Sequence, residues 1–350
     1  MSFLAPQGPY RVGSIEWRVT DTSRPAYIGS DRVGRELFVK IWYPGVPSGQ
    51  RPELLWEELR ADANVPRAIR YVLKAARTRT SSHRNAPLDA SAGLSSVAVY
   101  NHGLISFASE NTSLMEHLAS NGHVALALRH VEQMAELQAL NRRASATKRK
   151  ADAEAARLLQ TASPEERARL AVEYYRQSVN TNLIVCERAR DTSFVLDRLG
   201  DALRRVPGGD EADLDFDAVH LVGFSLGGAV ASETTARDGR VKSVTNLDGG
   251  LYGTQPRAAI RQPYLMMYSA ANEGINDLLL PEHAVRRAPA STKHLNYHDI
   301  AVVLPFLRYT GVTGKANPRE VIASRNAAVE AFIRAVDEAP ASRIASSPAL

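Results

Sequence analysis

The sequence predicts an α/β fold: a mostly parallel sheet with helices on both faces, N-terminal antiparallel strands and a helical insertion. Three observations lead there. Short, near-continuous apolar runs occupy residues 97–100, 124–128, 218–222, 241–247 and 264–268. Helical patterns separate most of them, and strands that read as unbroken apolar runs are those buried on both faces of a parallel sheet. Ahead of these runs, two segments instead alternate apolar and polar residues.

In the first alternating segment Ile15, Trp17 and Val19 share a face, and in the second Leu37, Val39 and Ile41 do, before Tyr43-Pro44-Gly45 stops the run. They suit an antiparallel pair at a sheet edge. Residues 46–92 are rich in Pro, Arg, Ser and Ala; a helix is expected over 54–76, and Ser81-Ser82-His83-Arg84-Asn85 reads as loop. The helix between the first two apolar runs should end at Ser120-Asn121-Gly122, where glycine can take the left-handed position past the C-cap. From 133 to 200 there is no strand signal. Ser163-Pro164-Glu165-Glu166 has the form of a capping box, so at least one helix is expected before it and one after. The later helix should turn Val185, Ala189, Leu196 and Leu199 to the sheet and stop at Gly200. The earlier one carries Arg142, Arg143, Lys148, Arg149 and Lys150, which reads as a solvated face, with a lid or surface-docking element as the alternative. A final helix starts at Asn317-Pro318-Arg319-Glu320 and offers Val321, Val329, Phe332 and Ile333 to the core.

With 350 residues, 44% of them hydrophobic and 23% charged, the chain has ample material for a core, which excludes disorder throughout. The regular strand and helix alternation favours one domain over 1–350, with 133–178 as the insertion and 338–350 as a flexible tail. The net charge of +5 is small for this length and gives no ground for nucleic-acid binding. The single cysteine, Cys186, rules out an internal disulfide and a multi-cysteine metal site. No basic-then-apolar leader and no long apolar stretch is seen, so a soluble, cytoplasmic protein is expected, touching membranes at most transiently.

The chemical signal is Gly223-Phe224-Ser225-Leu226-Gly227-Gly228. It directly follows an apolar run and opens a helical segment, the strand-turn-helix setting of a nucleophile elbow. A turn that pushes a serine hydroxyl out above the sheet brings neighbouring backbone close, so side chains at 223 and 227 would collide. Neither phosphate-binding glycine pattern is present at this turn. A serine nucleophile needs a base and an acid, in the chain order Ser, acid, His. Downstream histidines are His283, His294 and His298; His294 is preferred because it comes first in the segment after the last strand, with His298 in reserve. The acid has two homes. Asp248 ends the strand after the elbow helix, while Glu273 or Asp277 would follow the next strand; both lie at carboxyl ends of strands, where open α/β sheets build their sites. Two backbone N–H groups must face the developing oxyanion. Leu226 should supply one and Leu104, in Asn101-His102-Gly103-Leu104, the other; the His102 imidazole reads as structural.

These residues resemble the plasma-type platelet-activating factor acetylhydrolase family of α/β-hydrolases, in a bacterial form. The resemblance rests on Gly8-Pro9-Tyr10-Arg11-Val12-Gly13, on Ile41-Trp42-Tyr43-Pro44, on the loop ending in Leu104, on the elbow, on Asn246-Leu247-Asp248-Gly249 and on His294-Leu295-Asn296-Tyr297. It covers most of residues 8–336. It implies Asp248 as the acid and His294 as the base, no metal or organic cofactor, and a small-molecule or lipid ester of short or oxidised acyl chains as substrate. Two departures stand out. Phe224 sits where such elbows often carry His and should matter little to the chemistry; Gly250 and Leu251 replace bulkier aromatic residues and bear on the acyl pocket. The expected activity is that of a serine carboxylic ester hydrolase. An acyltransferase using the same residues and a non-catalytic binding protein of this fold are the alternatives.

Overall fold

A computed structural model of the chain describes residues 3–61, 78–130, 133–143, 154, 158–159, 162–211, 218–254 and 259–339. Its strands are β1 (Val12–Pro25), β2 (Val33–Pro44), β3 (Pro52–Leu54), β4 (Arg79–Arg84), β5 (Val97–Asn101), β6 (Val124–His130), β7 (Val219–Phe224), β8 (Val241–Leu247), β9 (Tyr264–Met267) and β10 (Val285–Arg287). They form one sheet in the order β10-β9-β8-β7-β5-β6-β2-β1-β4-β3. From β6 to β10 every pairing is parallel. The longer helices are α1 (Thr112–Ser120), α2 (Gln133–Arg143), α3 (Pro164–Gln177), α4 (Val179–Leu196), α5 (Leu226–Thr235) and α6 (Pro318–Glu338).

Both faces of the sheet are covered, as its apolar strands require. One face packs Ile15, Trp17, Leu37, Val99 and Leu221 against Val195, Leu196 and Ala231 of α4 and α5. The other packs Trp42, Tyr100 and Val222 against Leu114, Leu118, Val329 and Ile333 of α1 and α6. The ends of these helices follow the local rules. Gly122, past the end of α1, has φ 98°. The Asn317 side chain accepts from the Arg319 N–H, and Pro318 opens α6. Among the described residues, no helix is long and apolar enough to cross a membrane.

Four expectations need correction. β1 and β2 pair antiparallel, with Ile15 opposite Ile41 and Trp17 opposite Val39, but not at an edge: β4 adds parallel to β1, and β3 lies beyond it. Residues 81–84 are therefore strand, not loop. Their polar side chains hid this, and they are tolerated because a buried carboxylate, Glu116, accepts from the Ser81 N–H at 2.7 Å and from the Ser82 hydroxyl. The helix expected from residue 54 starts at Glu57 instead, since Leu54 ends β3; it is helical to Ala61, and residues 62–76 lie outside the described residues. The later helix of the insertion is two helices. At their junction the Ser178 hydroxyl bonds back to the Tyr174 carbonyl at 2.6 Å, competing with the helical ladder, and Gly200 sits inside a further short turn, Leu199–Leu203. Within the basic run, residues 148–150 lie outside the described residues.

Candidate active site

Ser225 follows β7, a strand buried along its whole length, and precedes α5, a helix buried along its whole length. Its backbone has φ 56° and ψ −124°, a conformation that costs a non-glycine residue about 1–3 kcal/mol and persists only where the surroundings enforce it. They do so through close backbone approach. A Cβ on Gly223 would lie 2.0 Å from the Gly227 carbonyl oxygen, and one on Gly227 would lie 1.9 Å from the Asn101 oxygen. The turn is tied to the sheet by the Ser225 N–H, which donates to Leu247 O at 3.0 Å. Ser225 stays partly exposed while its neighbours are buried.

Asp248 extends the next strand by one residue, and its N–H donates to Met267 O at 2.8 Å. It too has positive φ, 54°. The turn is stabilised by Asn246, whose Oδ1 accepts from the Gly249 N–H at 2.7 Å. Four donors converge on the Asp248 carboxylate: the Ser269 N–H at 2.6 Å, the Ser269 hydroxyl at 2.9 Å, the Asn272 amide at 2.8 Å and His294 Nδ1 at 2.8 Å. Because a carboxylate only accepts, Nδ1 carries the proton, and the neutral imidazole has its lone pair on Nε2. Ser269 and Asn272 carried no motif; the sequence signal available for them was their place just beyond the apolar run that forms β9.

His294 opens a short 3-10 turn, His294–Tyr297, that the next residues anchor. Asn296 Oδ1 accepts from the Lys293 and Gly314 N–H groups at 2.8 and 2.6 Å, and the Tyr297 hydroxyl donates to Tyr268 O at 2.8 Å. Phe224, expected to matter little, stacks on the imidazole with ring centroids 4.7 Å apart and planes 25° from parallel. The other candidates are engaged elsewhere. His298 is buried, its Nδ1 accepts from the Ile300 N–H at 2.9 Å, and burial depresses its pKa to about 3. His283 bonds the Gln262 carbonyl, and Asp277 accepts from Tyr268 and pairs with Arg286. Glu273 has no part in the hydrogen bonds to His294 observed among the described residues.

On the opposite side, a Cβ added to Gly103 would sit 3.4 Å from Ser225 Cβ, so the loop after β5 abuts the serine. Leu226 is the first residue of α5, and Leu104 follows Gly103 with 41% exposure. His102 is buried, and its Nδ1 lies 2.6 Å from Gly103 O. Above the Asp248 turn, the gap left by Gly250 is filled by rings. A Cβ there would meet Tyr252 at 2.8 Å and Tyr175, from α3, at 2.9 Å. Tyr175 donates to Asn276 Oδ1 at 3.0 Å, and Asn276 donates to Gly249 O at 2.9 Å. The inserted helix is thereby keyed to the turn that carries Asp248.

A family model described as platelet-activating factor acetylhydrolase, isoform II, matches residues 2–339. Among solved structures, a ferulic acid esterase from Streptomyces cinnamoneus is 20% identical over 98% of this chain and 97% of its own, with a TM-score of 0.69. At that identity the likeness speaks for the α/β-hydrolase fold. A structure titled m3DLH is 12% identical over 93% of this chain and 99% of its own, with a TM-score of 0.45, too low to inform the argument. No curated protein matches.

Proposed function

The chain belongs to the platelet-activating factor acetylhydrolase isoform II family and is an esterase-type hydrolase; from that premise we propose that Ser225, His294 and Asp248 act as its nucleophile, base and acid. The observation that carries this reading is the strained Ser225 turn, whose Phe224 ring stacks on an imidazole with its Nδ1 committed to Asp248. In the proposed sequence His294 Nε2 takes the Ser225 proton as the oxygen attacks the ester carbonyl carbon. The Leu226 and Leu104 N–H groups hold the oxyanion. The tetrahedral adduct collapses, His294 returns the proton to the departing alkoxide, and the acyl group stays on Ser225. Water, deprotonated by the same imidazole, then attacks the acyl-enzyme; the second adduct collapses with the bond to Ser225 Oγ breaking, His294 returns the proton to that oxygen, and the carboxylic acid leaves. Asp248 keeps the imidazole in its Nδ1–H tautomer and balances the charge it acquires.

The proposed substrates are small-molecule or lipid esters with short or oxidised acyl chains. The aromatic fill at Gly250 favours this, since Tyr175 and Tyr252 take up space beside the acid turn. Within the 133–178 insertion, α3 is proposed to act here as a fixed wall through Tyr175 rather than as a moving lid.

One experiment tests both parts. A chain-length series of p-nitrophenyl esters, with a phospholipid substrate alongside, should show turnover greatest for the shortest acyl groups. Ser225→Ala should reduce kcat/KM by about 10⁴-fold or more. Equal rates in the two proteins would overturn the assignment, and a preference for long chains would overturn the substrate class.

A further inference from the structure

Under the loop that abuts the serine lies a second carboxylate that the proposed chemistry does not use. Glu110, in the 3-10 turn Ala108–Asn111, is fully buried. One of its oxygens accepts from the Gly103 N–H at 2.9 Å and from the Tyr100 hydroxyl at 2.6 Å. The other accepts from the Ser106 hydroxyl, and His298 Nε2 stands 3.6 Å from it. Gly103 and Ser106 flank Leu104 and Ile105, so one side chain grips the loop on both sides of its exposed tip.

That tip needs holding. Ile105 has φ 54°, a left-handed conformation that a β-branched residue adopts only under constraint, and it is 60% exposed. Packing therefore does little to fix it. With the Gly103 N–H already given to Glu110, the next amide along the loop is that of Leu104, one residue past the glycine that abuts the serine.

We propose that Glu110 is a positioning residue for the oxyanion site: by clamping Gly103 and Ser106 it fixes the Leu104 N–H before the substrate arrives. The inference rests on the ester-hydrolase reading above. A donor aimed in advance at the developing charge lowers the barrier because no reorganisation is needed as the charge forms. Tyr100 completes the clamp from below, at the end of β5, and its hydroxyl in turn accepts from the Asn111 amide at 2.6 Å. The loop is thus tied to a strand of the central sheet.

Glu116 provides a matched control. It is equally buried, burial raises both carboxyls to a pKa of about 7, and it too accepts from serine, but it serves β4, outside the site. Removing an oxyanion donor costs about 10²–10³-fold in kcat, so loosening one should cost less. Glu110→Gln is expected to lower kcat on p-nitrophenyl acetate about 10–100-fold with KM within about two-fold, and to weaken a trifluoromethyl ketone, which forms an oxyanion on Ser225, by the same factor. Glu116→Gln should lower thermal stability and leave kcat of the folded enzyme within about two-fold. Ser106→Ala, a milder cut on one arm of the clamp, should lower kcat about three-fold, and it decides the matter should Glu110→Gln not fold. The proposal is overturned if folded Glu110→Gln behaves as Glu116→Gln does, or if Ser106→Ala leaves both kcat and ketone affinity unchanged. Absence of Ser225-dependent turnover in the wild type would instead overturn the function proposed above, and the two failures are distinct.

Discussion

On one side of Ser225 a carboxylate at a strand end faces an imidazole whose side chain is 39% exposed; on the other, a carboxylate on a 3-10 turn is sealed beneath a loop. Each gathers three or more donors. Asp248 is placed to act on a proton carrier, and Glu110 is placed to act on backbone. On the proposed reading, burial and bonding alone do not mark a catalytic acid: what counts is whether one of the bonded donors is also a proton carrier. On that reading His294 exchanges a proton with Ser225 and a substrate. Gly103 and Ser106 can only be held still.

The largest effect should follow from breaking the first side. Asp248→Asn presents an amide to His294 Nδ1 and favours the wrong tautomer, so kcat should fall by about 10³–10⁴-fold with KM little changed. A loss smaller than that of Glu110→Gln would reverse the ranking of the two carboxylates. Next in size is Asn272→Ala, which removes one of four donors to Asp248 and leaves the His294 bond in place. A fall in kcat of about ten-fold is expected from steady-state kinetics, since a charge-assisted hydrogen bond contributes about 1.5–3 kcal/mol and the remaining donors compensate in part. No change would mean that Ser269 and His294 suffice to orient the carboxylate.

The two sides also differ in how far the sequence reveals them. Asp248 ends an apolar run and precedes two glycines, and Ser225 sits in a strand-turn-helix pattern; both are local signals that follow from the need for strand ends and tight turns. The choice of Asp248 over Glu273 comes from family resemblance, because spacing alone does not say which loop folds over which; His294 is preferred over His298 already by its place in the chain, and the resemblance agrees. Glu110 lies in Ala108-Ser109-Glu110-Asn111, a polar stretch that looks like an exposed helix start. Its inward turn depends on Tyr100, Gly103 and Ser106 meeting it in three dimensions. The fold shows the same division. The parallel half was readable from its apolar runs, whereas β4, whose polar residues are satisfied by Glu116, and β10, three residues long, were not.

The smallest effect sharpens the contrast between a dry carboxylate and a solvent-facing pair. Burial raises Glu110 from 4.5 to about 7, so between those pH values the native state holds a proton that the unfolded chain has released. The native state then binds more protons, and the contribution of Glu110 to stability is fully present below about 4.5 and lost as pH rises through about 7. The amide of the Glu110→Gln variant does not titrate in this range. The stability of the wild type measured against this variant should therefore decline from pH 4.5 to 7 and level off above. Glu116→Gln should give the same trend, since burial raises that carboxyl equally. Total stability will run the other way. Burial depresses His117 and His123 to about 4 and His298 to about 3, so each is neutral in the folded protein while the unfolded chain binds a proton below about 6.5. These histidines make the whole protein less stable as pH falls from 6.5 towards 4, which is why the carboxylate trend must be read as a difference between wild type and variant. Thermal melts of the three proteins across this range would settle it: a flat difference for Glu110→Gln beside a declining one for Glu116→Gln would mean that water reaches the clamp.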